Sequence, residues 1–144
     1  MDWMEILDYL RKNLPHIEIR KTVTEISIFY RPPGIDHRGV YFASIKDQDS
    51  TNDVGSRLDR SSVYRFSLRL SKMGFQGLFG PLPVSPVVGG KLNVKDDANS
   101  VGLLLPHPLY AQLGWISIIS PSREAFFALE PIIREAYEYA VSRE

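Results

Sequence analysis

Two short segments concentrate the side chains best suited to chemistry. The first is Ser56-Arg57-Leu58-Asp59-Arg60, followed by Arg65 and Arg69 on the polar side of an alternating run. Guanidinium groups bind carboxylate and phosphate oxygens in a planar, bidentate way, so these four arginines could make an anion site. The plainer alternative is that Asp59 pairs with an arginine or with backbone donors and holds the loop, while the rest is a solvated face. The second is Leu105-Pro106-His107-Pro108-Leu109-Tyr110, with Gly114-Trp115 just beyond. Two prolines fix the backbone around His107 and so pre-organise its imidazole. Tyr110 and Trp115 add large rings with one polar handle each, as in the lining of a ligand pocket. Here the plainer alternative is that His107 caps a turn and Trp115 is core.

Other chemistry lacks its residues. There is no cysteine, which excludes disulfides, thiolate nucleophiles and Cys-ligated metals. The sequence contains no Walker loop, no G-x-G-x-x-G, no H-E-x-x-H and no G-x-S-x-G. His16, His37 and His107 have no ligand spacing, and the aspartates at 47, 49 and 53 lack the glycine and distal Glu of an EF-hand. No metal and no cofactor is expected. Lys+Arg and Asp+Glu both number 17, so the formal net charge is zero. That removes the global electrostatic case for a nucleic-acid or anionic-membrane binder. With 44% hydrophobic and 24% charged residues the composition is that of a folded globular chain, not a disordered one. The N-terminal MDWMEILDYLRKNLPH carries acids before its first base and no apolar run, unlike a signal peptide. No stretch approaches the ~18 apolar residues of a membrane span, and a cytoplasmic location is expected.

The elements that must position these side chains follow from periodicity. Trp3, Ile6, Leu7, Leu10 and Leu14 form one helical stripe, with Asp2 and Glu5 placed as a capping box and Pro15 as the stop. Residues 16–21, 25–31 and 39–46 read as strands, the first two as a hairpin. Residues 47–61 read as a long polar surface loop. Residues 62–70 alternate strictly, as a half-buried antiparallel strand does. Ser71 caps a short helix over 72–79, ended by Gly80-Pro81. Residues 81–104 read as irregular, and 84–100 as the most mobile part of the fold. A helical turn is expected within 105–112, a fifth strand over 114–119, and a C-terminal helix kinked or broken near Glu130 by Pro131. The sum is one α+β domain over 1–144, with a largely antiparallel sheet of about five strands and N-terminal, short central and C-terminal helices packed on one face.

The stretches SRLDRSSVYRFSL and LLPHPLYAQLGWISIISP, with FASIKD, LFG and AYEYA, resemble a family of small bacterial proteins of unknown function. That family carries S-R-L-D-R and L-P-H-P-x-Y…G-W motifs. Ser61, Ala111-Gln112 and Ser120 depart from its pattern. More distantly the layout is similar to YjbR-like domains, which implies an α+β fold and carries a loose DNA-binding label. The resemblance names no activity. Arg57, Asp59, Arg60, Arg65, His107, Tyr110 and Trp115 are therefore expected to form a non-catalytic binding cleft for a small anionic ligand or an acidic partner segment. One rival is a small enzyme with His107 as general base, oriented by Asp59 or another carboxylate, and arginine charge stabilisation. Another is nucleic-acid binding through Arg57–Arg69. A shared cleft needs the strands at 62–70 and 114–119 to run parallel, or one arginine to reach across.

Overall fold

The structure is a computed structural model. It describes residues 1–59, 63–83 and 100–144. The expectation about residues 84–100 therefore lies almost wholly outside the described residues, and Arg60 does so entirely.

Helix α1 spans Trp3–Asn13, and its capping box forms as expected. The Asp2 carboxylate accepts from the Met4 N–H at 3.0 Å, and Glu5 accepts from the Asp2 N–H at 3.2 Å. Strands β1 (Ile17–Lys21), β2 (Ile26–Tyr30), β3 (Val40–Lys46) and β4 (Arg65–Arg69) follow, then helix α2 (Lys72–Phe79). Strand β5 is Leu104–Pro106, β6 is Trp115–Ile119, and helices α3 (Arg123–Ala128) and α4 (Glu130–Ser142) end the chain. Pro131 sits in the first turn of α4, where a missing N–H costs nothing, so the expected break occurs at Leu129.

The sheet is antiparallel throughout, in the order β1-β2-β3-β4-β6-β5. It has six strands rather than five. The added one, β5, is a three-residue edge strand made of the last residue of the stretch read as irregular and the first two of the expected helical turn, which are extended instead. Pro106 ends it because proline has no ladder N–H to give. The turn expected within 105–112 is a single 3-10 turn at Ala111–Leu113. Strands β4 and β6 are neighbours but run antiparallel, with Arg69 opposite Trp115 and Arg65 opposite Ile119. The parallel arrangement is thus excluded, and an arginine must do the reaching.

One sheet face carries Ile28, Ile45, Phe66, Leu68, Ile116 and Ile118, and all four helices pack their apolar stripes into the same core. The other face is built differently. Ser27 lies opposite Ser44, Ser44 opposite Ser67, and Ser67 opposite Ser117, a row of small side chains across four strands. On one side of that row lie Lys46 and Arg65, and on the other Arg69 and Trp115. Side chains on a strand alternate between faces, so this row leaves a trough along the middle of the face.

A candidate anion-binding cavity on the open sheet face

The trough contains a cavity of about 430 Å³. Its buried end is a charged cluster. Arg65, 3% exposed, donates to both oxygens of Asp53, at 2.9 and 2.6 Å, and to Ser56 Oγ at 3.1 Å. Lys46 Nζ donates to Asp53 Oδ2 at 2.8 Å and to Ser50 Oγ at 2.7 Å. Asp53 reaches the site because residues 50–53 close a tight turn, with Ser50 and Asp53 exchanging backbone hydrogen bonds of 3.2 and 2.9 Å. Burial by itself would raise the Asp53 carboxyl, but the hydrogen bonds and charge of Arg65, then of Lys46, outweigh it and hold it well below the usual carboxylate range. Among the described residues two cations therefore share one ion-paired anion, and this three-residue cluster keeps one net positive charge. The Arg65 Nε and the Ser67 Oγ beside it are buried without a hydrogen-bond partner among the described residues.

His107 stands in the cavity wall and is 3% exposed. Its Nδ1 accepts the N–H groups of Leu109 at 3.0 Å and Tyr110 at 3.1 Å. The imidazole thus caps the turn after Pro108, and its proton must sit on Nε2. Burial first, and the Arg65 charge next, push its pKa well below the ordinary histidine value. His107 is a neutral hydrogen-bond donor. A general base would need the lone pair that Nδ1 already gives to the backbone, and among the described residues no carboxylate hydrogen-bonds the ring.

The walls are aromatic. Tyr41 and Trp115 lie with ring centroids 4.8 Å apart, His107 is 6.4 Å from Trp115, and Tyr110 is 5.1 Å from His107. Tyr41 is here because of a β-bulge: Phe29 pairs with Tyr41 but Ile28 with Ala43, so Phe42 is the extra residue. The slip puts Tyr41 on the serine face and Phe42 into the core. The Tyr41 hydroxyl donates to Glu25, and burial with that neighbouring charge drives its pKa far up. Gly114, at φ 91°, sets the near end of the site. A Cβ there would stand 2.3 Å from the Leu70 carbonyl oxygen, so only glycine lets β4 and β6 meet with Trp115 beside Arg69.

Arg69 and Arg143 stand at the mouth. Arg69 donates from Nε to the Leu113 carbonyl at 2.9 Å. Neither forms an ion pair among the described residues. Partial burial, then the charge of Arg143, lowers the Arg69 pKa.

Of the residues singled out in the sequence, Arg65, His107, Tyr110 and Trp115 line this cavity. Arg57 and Asp59 do not. Asp59 accepts the Asp49 N–H at 3.0 Å while Asp49 accepts the Leu58 N–H at 2.8 Å, a clasp that holds the long loop. Arg69, one of the four arginines noted in the sequence, also lines the cavity, whereas Lys46, Asp53, Tyr41 and Arg143 carry no site signal in the sequence reading. The matched serines at 27, 44, 67 and 117 were the available signal for the trough. Among the described residues no three His, Asp or Glu side chains gather as metal ligands, and no helix is long and apolar enough to cross a membrane. A family model described as a family of unknown function (DUF6194) matches residues 1–144, and the chain belongs to that family. Comparisons with curated proteins and with solved structures returned no match.

Proposed function

We propose that this member of the DUF6194 family is a non-catalytic binding module that takes a small organic anion into the cavity between Arg65, His107 and Trp115. The observation that carries this reading is that Lys46 and Arg65, both buried, share the single carboxylate of Asp53. A buried charge without a counter-charge is costly, and an anion in the cavity would relieve it. The aromatic walls supply the apolar area that small-molecule sites use for affinity. A catalytic role for His107 has less support, because its turn-capping tautomer leaves no base facing the cavity. Nucleic-acid binding along β4 has less support too, because Arg65 is buried against Asp53 and cannot join a surface stripe.

Thermal melts with sodium benzoate, inorganic phosphate and uncharged benzamide test the proposal. An anion that binds raises the midpoint by mass action, by about 2.7 kcal/mol at a hundredfold excess over Kd. At least one of the two anions should do so and benzamide should not. Arg143→Gln, at an exposed site, should keep the ligand-free midpoint and shrink the gain. Equal shifts from benzoate and benzamide, or no shift from either anion, would refute an anion site.

A further inference from the structure

The cavity's two ends differ in depth, and the buried end sets the ligand's charge. Lys46 and Arg65 against Asp53 leave one net positive charge there, with His107 neutral beside it. A carboxylate cancels that charge. A phosphate monoester carries about −1.5 to −2 at neutral pH and would leave surplus negative charge at that end, beside Asp53, that only Arg69 and Arg143 at the mouth could offset. The free donors agree. Lys46 Nζ spends two of its three N–H groups on Asp53 and Ser50, and His107 has only Nε2–H to offer. Two donors at this end suit the two oxygens of a carboxylate, whereas a phosphoryl group would have to draw further donors from Arg69 or Arg143 at the mouth.

Volume and walls define the rest of the molecule. The cavity of about 430 Å³ equals the liquid volume of on the order of fourteen waters at ~30 Å³ each. Acetate or inorganic phosphate would leave most of it unfilled. The serine row removes bulk from the middle of the face, and the Tyr41 and Trp115 rings present a wall on which a flat apolar body can stack. Arg143 at the mouth is exposed, so salt screens its charge more than that of the buried cluster.

We infer that the cavity selects an aromatic carboxylate: a carboxylate held by Lys46 and the Nε2–H of His107, with its ring against Tyr41 and Trp115. The inference rests on the anion-binding reading and narrows it to one chemical class.

Calorimetric titration of the full chain with four probes, 2-naphthoate, 2-naphthyl phosphate, 2-naphthalenemethanol and acetate, separates the two. Naphthoate should bind at least about tenfold tighter than each of the others, and should shift the Trp115 indole N–H signal in a proton–nitrogen correlation spectrum. Naphthyl phosphate binding as tightly as naphthoate would overturn the carboxylate assignment while leaving an anion site in place. The uncharged alcohol binding as tightly would overturn both. Acetate binding as tightly would remove the aromatic part. Naphthoate binding without a Trp115 shift, or no binding of naphthoate at all, would also overturn the inference.

Discussion

Replacing Asp53 with Asn tests the charged cluster most severely. The carboxylate takes two hydrogen bonds from Arg65 and one from Lys46, and all three side chains are buried. Asn keeps the shape and one acceptor but removes the charge, so two buried cations face each other uncompensated. Breaking a buried ion pair from one side costs about 3–5 kcal/mol. For a chain of 144 residues, an unfolding entropy of about 2.1 cal/mol/K per residue makes each kcal/mol worth about 3 °C. Asp53→Asn should therefore lower the midpoint by about 10–15 °C at pH 7 in low salt. Adding Lys46→Met restores the original net charge and should recover a substantial part of that loss. The pH dependence has a definite sign. The native carboxyl holds its proton far less well than an unfolded Asp of pKa about 3.9, so its contribution is full above that value and fades as pH falls through the acid range. The difference between wild type and Asp53→Asn should be constant from pH 5 to 8 and narrow below about pH 4. Calorimetric melts across that range measure it. A midpoint within about 2 °C of wild type at pH 7, or a difference that grows in acid, would refute the cluster.

Other predictions concern the site's supports. Gly114→Ala should lose at least about 1–3 kcal/mol, since alanine at φ 91° is strained even before its Cβ meets the Leu70 carbonyl; an unchanged denaturant midpoint would contradict this. His107 should show no imidazole titration between pH 7.5 and the model-peptide value of about 6.5, with nitrogen shifts of a neutral ring protonated at Nε2. Because the unfolded state binds that proton and the native state resists it, stability should fall as pH drops below about 6.5; a rise would reverse the assignment. Asp59→Ala should cost about 0.5–1.5 kcal/mol through loss of the loop clasp and leave anion affinity unchanged; weaker anion binding would place Asp59 in the site after all.

Local signals carried much of the architecture. The capping box at Asp2 and Glu5, the alternation over 62–70 and the break at Pro131 are each decided by a few neighbouring residues, and sequence reading located them. Strand β5 escaped because three residues ended by a proline have no measurable period. Within the site, His107 and Trp115 were legible as an unusual local cluster. Arg65 was legible as an arginine but not as a buried one, since burial depends on Asp53, which a polar loop brings in from twelve positions away. Tyr41 was hidden by the bulge: a period-two reading assigns it to the face of Ala43 and Ile45, and one inserted residue reverses that. Arg69, at the end of β4, and Arg143, just after α4, are far apart in the chain, and no spacing rule links them.

A crystal of the full chain soaked in 4-bromobenzoate gives the most direct test of an anion site on this sheet face. The anomalous bromine signal locates the ligand independently of any interpretation of its density. The strongest peak should lie inside the cavity beside Tyr41 and Trp115, with the carboxylate density toward Lys46 and the His107 Nε2. Bromine peaks confined to the outer surface, with none in the cavity, would contradict it.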